Sequence, residues 1–302
     1  MYLTACQAED FSFMLPFLKQ ICGSKGVGDC QKLTSANAFV YRVGDEYVKF
    51  PISMRAEKAL RREIGISNFL NGRVSFSVPY FECGQISING CGENNLFFAK
   101  SQRIRGIPLY QATMRPISHN ALVSSLVDVL DELHTIPVED MKGLKIPSFR
   151  ARLGKIIAAT VQLDAAPTHF KPRVVKKIRS HLGENEKDVL CHRDLHGANL
   201  FVNPMTGGVT GLLDFGMAEL APPAIEIADV GVYANAGLSA SIMRAYQIKT
   251  DRCLGDLYLY HAGDRNRWLQ KMIISCAKEC RVPLKITSQQ TSDLGKTGRV
   301  KQ

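Results

Sequence analysis

Residues 189–220, VLCHRDLHGANLFVNPMTGGVTGLLDFGMAEL, hold the side chains best suited to chemistry. His192-x-Asp194 comes first, Asn199 follows five residues after Asp194, and Asp214-Phe215-Gly216 comes after an apolar run. A carboxylate at the end of a strand can orient a hydroxyl and accept its proton. An amide oxygen and a second carboxylate can hold Mg2+ against polyphosphate oxygens. These residue types therefore point to phosphoryl transfer. The spacing alone is a weak signal. It gains weight from the apolar runs Leu200–Val202 and Val209–Leu213, with Asn203-Pro204 and Gly207-Gly208 between them. A strand–turn–strand unit would hold Asn199 and Asp214 close together.

One lysine stands out in the same light. In Tyr47-Val48-Lys49-Phe50, the two-residue period of a strand turns Lys49 away from the face of Val48 and Phe50. Alone, such a lysine is better read as an edge-strand charge that discourages aggregation. Beside the 189–220 motif, contact with phosphate is the better reading.

The elements that must position these groups differ along the chain. Phe39–Val43 and Glu46–Phe50 around Gly44-Asp45 predict a hairpin with a two-residue loop, ended by Pro51. A helix is expected over Met54–Leu70, with Leu60 and Ile64 on one face and Asn71-Gly72 as its stop. Val74–Glu82, Gln85–Asn89 and Asn95–Lys100 read as further strands, with a turn at Asn89-Gly90. After about residue 106 the apolar period becomes helical. Ser118 or Asn120 can cap a helix carrying Leu122, Leu126, Val129, Leu130 and Leu133; Ser148 can cap a second, and Pro172 can start a third. Short strands return at Val189–Cys191, Leu200–Val202 and Val209–Leu213, and helices then run to about Cys280. The expected division is a β-rich nucleotide-binding lobe over 1–102, a helical lobe over 103–285 with the catalytic loop and substrate site, and a flexible basic tail over 286–302. A cleft between two lobes is a usual place for a small ligand.

Composition sets bounds. At 302 residues with 45% apolar and 22% charged residues, the chain is of ordinary globular type and long enough for two lobes. The net charge of +10 admits nucleic acid, an acidic surface or phosphorylated ligands. Arg281–Gln302 alone carries five Lys or Arg against one Asp, which weakens the nucleic-acid reading. The basic cluster Lys171, Arg173, Lys176, Lys177 and Arg179 has no interleaved aromatics and reads as a solvated helix face. The nine cysteines are scattered and lack a C-x-x-C pair, so a structural zinc is disfavoured and a reducing cytoplasm is expected. The N-terminus reads as a short amphipathic helix after Asp10, without the features of a signal peptide. No run is apolar enough for a membrane span.

Over roughly residues 30–235 the sequence resembles the aminoglycoside phosphotransferase and choline kinase group, small-molecule relatives of protein kinases. Residues 34–43, TSANAFVYRV, resemble the phosphate-covering loop and second strand, and Tyr47–Phe50 the strand with the nucleotide-binding lysine. Glu63, in Leu60-Arg61-Arg62-Glu63, resembles the lysine's helical partner, although Glu57 is a rival on the same helix. Residues 102–109, QRIRGIPL, resemble the segment after the interlobe hinge, and Leu130–His134 an L-x-x-L-H helix end. Residues 222–228, PPAIEIA, resemble the D-P-A-x-D-L-A element that follows the metal aspartate.

The resemblance implies an α+β, bilobal protein-kinase-like fold with a small β-rich N-lobe and a larger, mostly helical C-lobe. It implies Asp194 as catalytic base, Asn199 and Asp214 as Mg2+ ligands, and His192 as support for the catalytic loop. Lys49 would contact the nucleotide's phosphates and pair with Glu63. Backbone groups of about Lys100 to Gln102 would meet the adenine. ATP is the expected donor. No glycine lies between Lys32 and Val43, where the family often has one, so Ser35, Asn37 and backbone N–H groups would cap phosphates, and GTP stays open. Glu226 stands where the family usually has Asp, a tolerated change, and Arg61-Arg62 read as flanking charges with no special function.

The partners implied are a nucleotide and a small hydroxyl-bearing molecule, with neither membrane nor nucleic acid. A protein kinase of the same fold is disfavoured, because His196 replaces the usual lysine and Pro222-Pro223 follows Asp214-Phe215-Gly216 too closely for a long activation segment. A non-catalytic nucleotide-binding scaffold is disfavoured by the intact Asp194, Asn199 and Asp214. From Val230 to Cys280 the acids are Asp251, Asp256, Asp264 and Glu279 against seven Lys or Arg. The acceptor is open between an antibiotic, a sugar and an amino alcohol; that balance argues mildly against a tricationic one and leaves sugars, amino alcohols and phosphorylated metabolites open.

Overall fold

Alternating apolar residues organise the first half of the chain in a computed structural model that describes residues 2–23, 27–33, 35–87, 95–112, 118–151, 187–233 and 236–250. β1 (Cys30–Leu33), β2 (Ala38–Val43), β3 (Glu46–Pro51), β4 (Phe81–Ser87) and β5 (Asn95–Gln102) form one antiparallel sheet in the order β1-β2-β3-β5-β4. The β2–β3 register, Val43 opposite Glu46, leaves Gly44-Asp45 as the expected two-residue loop, with Gly44 at φ 61°.

Two helical layers cover this sheet. α1 (Ala5–Glu9) and α2 (Phe11–Cys22) supply Ala8, Met14, Phe17 and Leu18 to a core with Tyr41, Val43, Val48, Phe50, Ile86 and Leu96. Thr4 and Asp10 cap these helices by accepting from the N–H groups of Gln7 and Phe13. The other face meets α3 (Met54–Leu70), where Leu60 and Ile64 join Phe81, Phe97 and Ala99. Ser53 caps α3 at Ala56 N–H. Asn68 locks α3 to the start of β4 by exchanging two bonds with the Phe81 backbone, at 2.7 and 2.8 Å.

The strand expected over Val74–Glu82 does not form. Pro79 has no N–H to give to a ladder, and Ser77 bridges elsewhere. Its N–H donates to Thr210 C=O at 2.8 Å, and its own C=O accepts from Leu212 N–H at 3.0 Å. Residues 81–82 instead belong to a single strand running on to Ser87.

By internal packing the chain divides into two compact units, the first comprising Met1–Ser125, Gly143–Lys145 and Gly197–Ala218. Besides the large sheet, the first contains β6 (Ile107–Pro108), β8 (Leu200–Val202) and β9 (Val209–Leu212), in the order β6-β8-β9. α4 (Leu109–Ala112) follows β6 directly. The turn between β8 and β9 is held by Asn203, whose side chain accepts from Met205 N–H and whose backbone pairs with Gly207 and Gly208.

The second unit comprises Leu126–Lys142, Ile146–His196 and Glu219–Gln302. Here β7 (Val189–Cys191) pairs with β10 (Glu219–Ala221). α5 (His119–Thr135) is capped by Ser118 and runs through both units, and its part from Leu126 onward contributes buried Leu126, Leu130 and Leu133 to the second. α6 (Pro223–Tyr233) and α7 (Ala236–Thr250) follow. A buried bond of 2.6 Å joins His134 Nδ1 of α5 to the Tyr246 hydroxyl of α7. Ser148 accepts from Ala151 N–H as an expected helix cap, with only the first residues of that helix described. The helix expected from Pro172, the turn at Asn89-Gly90, the cluster 171–179 and the basic tail lie outside the described residues. Among the described residues, no helix is long and apolar enough to cross a membrane.

Gly106 is where the first unit is least tolerant. It sits at φ 100°, and a Cβ there would lie 2.8 Å from Val202 C=O and against the Thr210 hydroxyl. Gly106→Ala should cost about 2 kcal/mol or more of unfolding free energy, read by urea titration. An unchanged midpoint would show that the β6–β8 junction relaxes freely.

Candidate active site

Strand alternation sets the first half of the site, within the first unit. Val48 and Phe50 are buried in the core under α1 and α2, so Lys49 projects toward α3. Its Nζ lies 2.6 Å from Glu63 Oε1, and the Phe81 ring lies 5.3 Å from the same ammonium. Glu63 is 4% exposed at the side chain. The rival Glu57 is engaged elsewhere, accepting from Arg61 at 2.8 Å and from the Tyr2 hydroxyl at 3.1 Å.

Asp214 completes this cluster. Leu213 N–H donates to Asn199 C=O at 2.9 Å, carrying the β8–β9 pairing one step further, so residues 199 and 214 flank one end of the hairpin. Asp214 then turns left-handed, at φ 65° and ψ 64°, and its carboxylate accepts from Gly216 N–H at 3.3 Å. The Asp214 backbone lies close enough to the Glu63 carboxyl to favour its charged form. Arg62, read from the sequence as a flanking charge, donates from Nη1 to Gly216 C=O at 2.9 Å. The available hint was its place beside Glu63, but the contact spans 154 positions and no local pattern announces it.

Burial, the largest influence, lifts the Glu63 carboxyl to about 7. The Lys49 charge and the Asp214 backbone oppose the rise, and the Asp214 carboxylate adds to it. For Lys49, burial is the largest single influence and pulls downward. The two carboxylates outweigh it and hold the ammonium above its usual value.

The second unit carries Asp194. His192 is fully buried, and its Nδ1 accepts from Asp194 N–H at 3.2 Å, a local brace across two residues. Arg193 between them is left-handed at φ 68°. Its N–H reaches both oxygens of the buried Glu226, at 3.2 and 3.3 Å, and its guanidinium meets Glu219 at 3.3 Å and Ile225 C=O at 3.4 Å. The longer Glu226 side chain thus holds the loop backbone directly beside Asp194. The Asp194 side chain is 21% exposed, with His196 Nε2 at 3.7 Å from Oδ2.

The remaining expected contacts are in the first unit. Ser35 and Asn37 are exposed in the loop before β2, and Asn37 C=O accepts from Ile52 N–H at 3.3 Å. Lys100 lies between Val48 of β3 and Glu82 of β4, and its ammonium pairs with Glu46 and Glu82 at 3.4 and 3.2 Å. β4 begins opposite Ser101, so Gln102 has a strand partner on one side only, Glu46.

A family model described as a phosphotransferase enzyme family matches residues 29–257. None of the curated proteins matches the chain. Among solved structures, the GDP complex of wild-type aminoglycoside 2'-phosphotransferase-IIIa is 15% identical, with TM-score 0.66, covering 95% of this chain and 97% of that one. The streptomycin–ATP ternary complex of an APH(2")-IIa enzyme is 16% identical, with TM-score 0.59, covering 89% and 95%. The macrolide 2'-phosphotransferase MphH from Brachybacterium faecium, as apoenzyme, is 14% identical, with TM-score 0.57, covering 92% and 95%. The likeness to these structures establishes the α+β, protein-kinase-like fold.

The raised Glu63 carboxyl has a sign that can be checked. The folded protein keeps this proton up to about 7, where the unfolded chain releases it near 4.5. Its contribution to stability is therefore full below the unfolded value and lost as pH rises through the folded one. Relative to Glu63→Gln, the wild type should lose a few kcal/mol, as an order of magnitude, between pH 4.5 and 8. Parallel unfolding curves across that window would contradict the assignment.

Proposed function

Because the chain belongs to this phosphotransferase enzyme family, we propose that it moves the γ-phosphoryl group of ATP to a hydroxyl of a small molecule. The observation that supports this most is the partly buried cluster of Lys49, Glu63 and Asp214, a cation and two acids gathered from a strand, a helix and a turn. In this reading Lys49 holds the nucleotide's phosphates and Glu63 holds Lys49. Ser35, Asn37 and nearby N–H groups cap the phosphates, and the backbone from Lys100 to Gln102 meets the base.

Asn199 and Asp214, whose backbones flank one end of the β8–β9 hairpin, would offer an amide oxygen and a carboxylate, a hard-oxygen donor set that fits Mg2+. When bound there, the ion supplies positive charge against the polyphosphate. Asp194 orients the acceptor hydroxyl and takes its proton as the new oxygen–phosphorus bond forms. The bond to the bridging oxygen breaks in line, and ADP leaves. The step needs no covalent enzyme intermediate. His192 and Glu226 support the loop that presents Asp194.

The acceptor is read as a sugar, amino alcohol or phosphorylated metabolite more readily than a tricationic antibiotic, on the balance of charges from Val230 to Cys280. Most of those residues lie outside the described ones. The lobes are read as 1–102 for nucleotide binding and 103–285 for catalysis. The scattered cysteines, without a C-x-x-C pair, support a cytoplasmic setting.

The test is an ADP-production screen with Mg2+·ATP and Mg2+·GTP over hydroxyl-bearing metabolites and antibiotics. At least one compound should gain a phosphoryl group, and Asp194→Ala and Asp214→Ala should each reduce its turnover by about a thousandfold or more. Transfer surviving either substitution would refute the site. Phosphorylation of a protein alone would favour the kinase reading.

A further inference from the structure

Three residues of α3 bear on the turn that presents Asp214. The Glu63 carboxyl is close enough to the Asp214 backbone to be influenced by it. The backbone and Cβ of Ala59 approach Gly216, lying 3.5 and 3.7 Å from where a Cβ on that glycine would stand. Arg62 donates to Gly216 C=O at 2.9 Å.

The Gly216 residue is thereby held on both sides. Its N–H goes to the Asp214 carboxylate at 3.3 Å, and its C=O to the Arg62 guanidinium. Between these two bonds lies a single turn, Phe215–Met217, closed by Ala218 N–H donating to Phe215 C=O at 3.0 Å. Asp214 at φ 65° is a non-glycine residue in the left-handed region, a conformation that persists only where its surroundings impose it. A carboxylate that turns to a cation must share or give up its bond to Gly216 N–H. The guanidinium bond to Gly216 C=O is independent of that carboxylate and would still hold the turn.

We propose that Arg62 is a positioning residue for Asp214: by fixing the Gly216 carbonyl it sets the aim of the Asp214 carboxylate toward the divalent cation that accompanies the nucleotide. The inference rests on the reading of Asp214 as a metal ligand. The charged donor matters because such bonds are stronger than neutral ones and directional. The neighbouring Arg61 is a built-in control. It shares the helix and the charge but bonds Glu57 at 2.8 Å and stacks 4.0 Å from the Phe97 ring.

The test measures nucleotide binding by the full chain as Mg2+ is titrated, separately from turnover. Arg62→Met should raise the Mg2+ concentration for half-maximal binding about tenfold while leaving metal-free nucleotide affinity unchanged. Arg62→Lys, which keeps a charged donor, should recover part of that shift, and Arg61→Met should cause none. Thermal melting of each variant separates loss of fold from loss of aim; if Arg62→Met is unfolded, Arg62→Lys and Arg62→Gln carry the comparison. A wild type with Mg2+-dependent binding and an unshifted, folded Arg62 variant would overturn this inference alone. A wild type without Mg2+-dependent binding would overturn the functional reading, and this inference with it.

Discussion

The proposed phosphate site of the first unit converges on one buried carboxylate. Glu63 meets Lys49 on one side and the Asp214 backbone on the other, so a strand, a helix and a turn converge on one group. At Glu63 burial, with the Asp214 carboxylate adding to it, outweighs the attraction of Lys49 and lifts the carboxyl to about 7, while at Lys49 the attraction of the two carboxylates wins over burial. The arrangement persists because hydrophobic packing has already set its geometry. Val48 and Phe50 are fixed under α1 and α2, and Leu60 and Ile64 seat α3. The polar cluster is carried by a core that would fold around less demanding side chains.

Both acids at the centre of the proposed chemistry sit at strained backbone. Among the described residues, the non-glycine positions with positive φ are Arg193, next to Asp194, and Asp214 itself. Each is restrained by buried or partly buried charge. Glu226 grips the Arg193 N–H, Glu219 grips its guanidinium, and Arg62 grips the turn after Asp214. Strain concentrated at two places, each with its own clamp, is the pattern of side chains aimed for a purpose.

Periodicity and punctuation made much of this legible. The β2–β3 hairpin, the α3 helix with its Ser53–Asn71 span, and the β8–β9 unit all follow from local signals. Lys49's direction followed from alternation alone. Where expectation failed, long-range pairing decided. Residues 74–80 carry strand-like composition, yet Ser77 is taken by Thr210 and Leu212 over more than a hundred positions. β1 and β10 are short strands defined by their partners, with no alternating run to announce them. Arg62 was opaque for the same reason, and Glu226 showed its reach toward Arg193 only once β7 and α6 were placed.

The central claim is that the Lys49–Glu63–Asp214 cluster is where nucleotide phosphates are held. Calorimetric titration of wild type and Lys49→Met with Mg2+·ATP tests it most directly. Met fills the space of the lysine stem, and Glu63, whose proton is already held to about 7, can remain neutral beside it, so the variant should fold. The account predicts measurable binding by the wild type and a loss of about tenfold or more in the variant, with its melting curve retained. Equal binding by the two folded proteins would contradict it.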